Sequence, residues 1–100
     1  MDLPAHFPAY PGPGPPHHTV QRAYQVISET YQNSMHLLYL EDADSLRLRF
    51  HLTRLQERVF PLFMALSAEG LPVDWLDAGA HVLGKLLLEL GNAIKSTEEQ

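Results

Sequence analysis

Three segments of the chain carry apolar side chains at one repeated spacing, and this pattern constrains the fold more than any other feature. In each segment, six positions follow one another at intervals of 4-3-4-3-4 residues, which places them along one face of an α-helix. Seventeen of the eighteen positions are apolar, and Ser34 is the exception. The positions are Val20, Tyr24, Ile27, Tyr31, Ser34 and Leu38, then Leu48, Leu52, Leu55, Val59, Leu62 and Leu66, and finally Leu76, Ala80, Leu83, Leu87, Leu90 and Ile94. The sequence therefore predicts an all-α, coiled-coil-like fold, a three-helix bundle of antiparallel amphipathic helices.

Capping and helix-stopping residues mark the ends of these helices. Thr19 is a suitable N-cap for the first helix, and Asp44 or Ser45 for the second. Gly70 and Pro72 separate the second helix from the third, since glycine commonly follows a helix and proline is tolerated in a first turn. We expect helices at about 19–40, 45–68 and 72–95, together forming the bundle over 19–95, and a tail over 96–100.

The second helix carries two irregular features. Residues 46–52 alternate between apolar and polar as a half-buried strand does, but the helical spacing begins inside this segment and continues to Leu66. Pro61 lies in the interior of the helix, where proline removes a hydrogen bond and clashes with the preceding turn. We therefore expect this helix to be kinked or split near Pro61.

The first eighteen residues differ from the rest of the chain. They contain six of its eight prolines, so neither helix nor sheet can run through them. We expect residues 1–18 to form a disordered arm, partly in the polyproline II conformation. Two PxxP spacings, at 8–11 and 13–16, are compatible with docking on an aromatic groove, but a plain flexible tail is the preferred interpretation. The adjacent histidines His17 and His18 do not make a closed metal site.

Composition excludes several classes of function. The 100 residues include no cysteine, which excludes disulfides, thiolate metal sites and cysteine nucleophiles. A net charge of −5 disfavours general binding to nucleic acid or to an anionic membrane. The N-terminus shows no secretory signal and no apolar run is long enough to span a bilayer, so we expect a cytoplasmic or nuclear protein.

A row of basic residues on the second helix is the sharpest local feature. Arg47, His51, Arg54 and Arg58 follow one another at 4-3-4 spacing, away from the apolar face. Such a row can bind phosphate, a nucleic-acid backbone or an acidic protein surface. The alternative is that these side chains pair with nearby carboxylates or stay solvated, as most surface charge rows do. Replacing the three arginines together should leave folding intact and weaken partner binding if the row is a site.

Apolar residues beyond the needs of a three-helix core predict a surface for assembly. Phe50 and Met64 on the second helix and Leu88 on the third are in excess, and such surface often marks a subunit contact. Gly84 and Gly91 lie seven residues apart on the third helix, where each costs about 1 kcal/mol relative to alanine. Close approach of another helix is the simplest compensation for that cost.

Catalysis has little support in the sequence. His36, His51 and His81 occur one per helix, so a metal site would require all three to converge, and isolated histidines are the favoured interpretation. We expect the hydroxyl of Ser34 to bond to the preceding turn of its own helix. No cofactor and no metal are predicted, and the chain is not expected to be an enzyme.

The preferred hypothesis is a non-enzymatic helical module for protein–protein interaction or oligomerisation, with a protein partner or a second copy of the chain. A nucleic-acid- or phosphate-binding domain that uses the arginine row is the alternative. The leucine-rich, loop-interrupted pattern of the helices also resembles helical segments that precede the catalytic core in some transposon-derived integrase proteins. That resemblance implies the N-terminal part of a larger protein, because this chain contains no catalytic core of that kind.

Overall fold

The computed structural model describes residues 3–12 and 17–99, and in these ranges the chain is helical without strands. The first helix, α1, is His18–Leu38. The second is interrupted and comprises α2 at Ser45–Arg54, a π-helical turn at Leu55–Val59 and α3 at Phe60–Ser67. The last, α4, is Val73–Glu98. The predicted all-α bundle of three helices is confirmed.

Local hydrogen bonds explain where the helices begin and end. Helix α1 begins one residue earlier than predicted, because the ring of His17, and not Thr19, caps it by accepting from the Thr19 amide at 3.3 Å. Helix α2 is capped by Asp44, whose carboxylate accepts from the Arg47 amide at 2.8 Å. Gly70, at φ +74°, makes the left-handed turn that ends the second helix, as predicted.

The interruption of the second helix lies one turn before Pro61. Proline has no amide hydrogen, and its ring clashes with the carbonyl four residues earlier, here that of Glu57. The chain accommodates this with a π-helical turn, in which the Phe60 amide donates to the Leu55 carbonyl five residues back. The predicted kink is therefore present, and its form is a π-bulge at Leu55–Val59.

Helix α4 is longer than predicted. The expected tail over 96–100 is helical up to Glu98, so the third helix does not end at residue 95. Two side chains account for the extension. Thr97 donates from its hydroxyl to the Ala93 carbonyl at 2.9 Å, and Glu98 forms an ion pair with Arg49 of α2. The carboxylate thus finds a partner on another helix that no local pattern reveals.

The three predicted apolar faces supply most of the core. Its fully buried large side chains come from all three helices and include Ile27, Tyr31, Leu48, Leu55, Val59, Leu83, Leu86 and Leu90. The largest departure is in the third helix, where Ala80 of the predicted face is exposed while Trp75 and Val82 are buried. The buried face of α4 is therefore rotated toward Trp75 at its N-terminal end.

The N-terminal arm packs against Trp75 of this face and corrects the prediction of a disordered segment. Residues 3–12 contain neither helix nor strand, but Leu3 and Phe7 are buried in the same core cluster as the helices, and Tyr10 packs against it. Prolines prevent regular structure but do not prevent an extended chain from burying its apolar side chains. Residues 13–16, which hold the second PxxP spacing, lie outside the described residues.

Candidate functional site

The basic row on the second helix is only partly the surface that the sequence predicts. The side chains of Arg47, Arg54 and Arg58 are exposed, and in the part of the chain that the structure describes none of them forms an ion pair with a carboxylate. His51, the fourth member of the row, is half-buried and faces α1. The accessible row therefore consists of three arginines.

His51 is bound to Ser34, which corrects the expected role of that serine. Ser34 is fully buried, and its hydroxyl lies 2.9 Å from Nδ1 of His51. A buried hydroxyl must find a partner within the protein, and the imidazole of the facing helix provides it in place of the preceding turn of α1. The single polar position in the three apolar faces thus links α1 to α2.

The packing of His51 predicts a loss of stability in mild acid. Burial, with smaller contributions from Arg47 and Arg54, lowers the pKa of His51 below its ordinary value of 6.5. The unfolded chain therefore binds more protons than the folded one just below pH 6.5, and the free energy of unfolding falls as the pH drops through that region. We expect His51→Gln to flatten this dependence in urea titrations at a series of pH values. The exposed His81→Gln variant should retain it, and equal slopes in both variants would contradict the assignment to His51.

Phe50 lies beside the arginines and not with the other predicted assembly residues. Its side chain is 60% exposed. It borders a shallow depression of about 380 Å³ with Arg54, Arg58 and Glu57. In proteins that bind single-stranded nucleic acid, exposed aromatic rings stack on bases and neighbouring cations contact the phosphates.

Gly84, Leu88 and Gly91 form a groove of their own. Together with Leu52 and Gln56 of the second helix and Leu87 and Asn92 of α4, they line an open depression of about 470 Å³, which we call the glycine groove. A Cβ atom added at Gly84 or Gly91 would meet no side chain and no atom of another helix within 4 Å among the described residues. No helix in the described ranges therefore makes the close approach that these glycines predict.

Met64 belongs to neither surface. Its side chain is 66% exposed on α3, and it lines neither the glycine groove nor the depression beside Phe50. The five residues predicted to form one assembly surface are therefore distributed over three places. Only Gly84, Leu88 and Gly91 lie together.

A further site was missed by the sequence analysis and lies under the N-terminal arm. Tyr24, Tyr31, Phe63 and Trp75 surround the ring of Phe7, with centroid distances of 5.9–6.3 Å. Two signals could have indicated this site. Each of the apolar residues Leu3, Phe7 and Tyr10 directly precedes a proline, and Trp75 is the only tryptophan of the chain.

The glycine that the fold requires is Gly79, which the sequence analysis did not select. A Cβ at this position would lie 2.7 Å from Cε1 of Phe63 and 3.1 Å from Cζ of Phe7. Gly79 therefore allows both rings to rest directly on the backbone of α4. We refer to Tyr24, Tyr31, Phe63, Trp75 and Gly79 as the aromatic cleft.

The described ranges contain neither a metal site nor a membrane-spanning helix. No group of three or more histidine, aspartate or glutamate side chains there is arranged to hold a metal ion. None of the helices in these ranges combines the length and apolar content needed to cross a membrane. No known protein family, curated protein or solved structure matches the chain.

Proposed function

We propose that the chain is a non-enzymatic helical assembly module and that two copies pack against each other through their glycine grooves. One observation carries the proposal. Helix α4 has two glycines, Gly84 and Gly91, on an open face, where an added Cβ atom would meet no side chain and no other helix of the described residues within 4 Å. Each glycine weakens the helix by about 1 kcal/mol relative to alanine, and a second helix packed closely on this face would offset that cost.

A second copy is the partner that best fits the groove. Gly84 and Gly91 flank Leu87 and Leu88 symmetrically along α4. When two such helices cross antiparallel, Gly84 of one copy faces Gly91 of the other, and the leucines meet at the centre. A two-fold interface requires a patch that complements itself in this way.

The chemistry of the groove also suits burial against an identical surface. Its lining contains no charged side chain, so two copies can meet without desolvating charge on a protein of net charge −5. Leu88, 61% exposed, provides an apolar side chain to insert. The groove between α1 and α3, of about 480 Å³, is bordered by Arg22, Arg58 and Glu69 and is less suited to such contact.

The length of α4 sets the size of the interface that two copies can form. Helix α4 has 26 residues and is therefore about 39 Å long. Stable interfaces bury roughly 800 Å² on each partner. A stable dimer would have to bury an area of that order along the central turns of α4 and the adjoining side of α2.

The mass of the protein in solution tests the proposal. We expect a concentration-dependent dimer by light scattering and sedimentation, and we expect Leu88→Glu to weaken it about 100-fold or more, because a charge would be buried without a partner. Met64→Glu is the matched control, since Met64 is equally exposed but lies outside the groove, and it should leave the dimer intact. A wild-type monomer at high concentration, or equal loss in both variants, would contradict the proposal.

The exposed arginines beside Phe50 support a second candidate, a site for nucleic acid or another phosphate-bearing ligand. The net negative charge disfavours it, but all three arginines are exposed and form no ion pair in the described part of the chain, and Arg54 and Arg58 border the same depression. Binding of a labelled single-stranded oligonucleotide that declines steeply with salt, and that is lost when Arg47, Arg54 and Arg58 are changed to alanine, would favour this function over assembly. Those variants should leave the mass of the dimer unchanged.

A further inference from the structure

The arm occupies the aromatic cleft in the manner of a bound peptide. Phe7 is its central anchor and is 3% exposed. Leu3 is buried on one side of it, and Tyr10 packs on the other, with its ring 6.1 Å from that of Tyr24. Since each anchor directly precedes a proline, its backbone is held in the extended region before it docks. The arm therefore reaches the cleft with three side chains already spaced for insertion.

The hydrogen bonds of the arm are also those of a peptide bound in a groove, because the helices donate to its backbone carbonyls. The Pro8 carbonyl accepts from the Tyr24 hydroxyl at 3.2 Å and from Nε1 of Trp75 at 3.3 Å. The Pro4 carbonyl accepts from the Tyr31 hydroxyl. Proline-rich segments are recognised elsewhere by aromatic-lined grooves, which exploit their preformed, extended backbone. The cleft thus combines apolar contacts for side chains with hydrogen-bond donors that reach the backbone carbonyls of the bound segment.

Apart from these contacts, little holds the arm on the bundle. Among the described residues, no backbone–backbone hydrogen bond links residues 3–12 to a helix. The chain between the arm and α1 consists, in sequence, of proline and glycine from 11 to 16. Departure of the arm would therefore break apolar contacts and the hydrogen bonds that side chains of the helices donate to its carbonyls, and it would leave the backbone hydrogen bonds of the helices in place.

We propose that the aromatic cleft is a recognition site for a proline-rich segment of another protein, and that residues 3–12 are its built-in competitor. The ligand carries an aliphatic residue, a phenylalanine and a further aromatic residue, each followed by proline. Because the arm is tethered, it competes at an effective concentration in the millimolar range, so an outside segment binds strongly only where the arm is weakened or removed. The site is separate from the glycine groove and does not depend on dimer formation.

The single tryptophan provides a direct readout. Trp75 lies in the cleft and is buried, so release of the arm should shift its fluorescence to longer wavelength. The experiment uses the full chain carrying Phe7→Ala and a synthetic peptide of residues 3–12. We expect the peptide to restore the shorter-wavelength emission with saturation. The wild-type chain already emits at the shorter wavelength, so its binding is followed with a fluorescently labelled form of the same peptide. We expect it to bind this peptide at least about 10-fold more weakly than the variant does, because its own arm occupies the cleft.

Controls separate recognition from general stabilisation. The same peptide with alanine in place of Phe7 should have no effect on the variant, and the complex should contain one peptide per chain, whether the chain is monomeric or dimeric. If circular dichroism shows that Phe7→Ala is unfolded, Leu3→Ala serves as the second host, since it removes a smaller anchor. A folded host that does not respond to about 1 mM peptide, an equal response to the control peptide, or arms exchanged between two copies would overturn the proposal.

Discussion

Replacing Phe7 by alanine is expected to lower the free energy of unfolding by about 3 kcal/mol. The ring is buried to 97% and is packed edge-on against Tyr31, Phe63 and Trp75. Its removal leaves a cavity between the arm and the bundle. The decrease in the free energy of unfolding cannot exceed the free energy with which the arm docks, because a variant that loses more than this releases the arm from the cleft.

Urea denaturation followed by circular dichroism measures this effect. Phe50→Ala is the matched control, since Phe50 is 60% exposed and its truncation should change stability by no more than about 0.5 kcal/mol. A disordered arm, as composition suggests, would give no effect for Phe7→Ala. Equal stabilities of the two variants would therefore show that residues 3–12 do not contribute to the fold.

Alanine at Gly79 and alanine at Gly84 are expected to have opposite effects on stability. At Gly79 the new methyl group would lie 2.9 Å or less from two ring atoms of Phe63, which is held in place by Phe7 and Trp75. Overpacking of this kind costs about 1–3 kcal/mol and outweighs the gain in helix propensity. At Gly84 the methyl group meets nothing, so the variant should be about 1 kcal/mol more stable.

The pair is measured by urea denaturation at a concentration low enough for the chain to be monomeric. Both substitutions are the same chemical change in the same helix, so the difference of about 2 kcal/mol or more reports on their surroundings alone. Destabilisation by Gly84→Ala would mean that something contacts this face in the monomer. Gly84→Ala should also weaken the dimer, and a more stable variant that assembles equally well would contradict the role proposed for the glycine groove.

The helical pattern predicted the bundle because it is a local property of the chain. The spacing of apolar residues can be recognised within each segment alone, and a helix with one apolar face is stable in water only when that face is buried. Pro61 and Gly70 also affect only the backbone close to them. The interruption of the second helix and its end therefore lie close to the predicted positions. The extension of α4 to Glu98 was missed because the partner of that residue, Arg49, is remote in sequence.

For the candidate site residues, the sequence could predict neighbours within one helix but not across helices. Gly84, Leu88 and Gly91 share a groove because their spacing along one helix already places them together. Phe50 and Met64 were predicted to belong to the same surface only because they are apolar. Their positions relative to the groove depend on how α2 and α3 pack. His51 fits the spacing of the arginine row, yet its environment is set by Ser34 on another helix.

The amino-acid sequence by itself determined that the protein is built from three amphipathic helices, since helix formation and its interruptions follow from neighbours a few residues apart. Only the tertiary structure decided which faces stay open and what lies over Trp75. Phe7 reaches that tryptophan across 68 positions of sequence. Its burial depends on a cleft that several helices form together, and no segment encodes such a cleft alone.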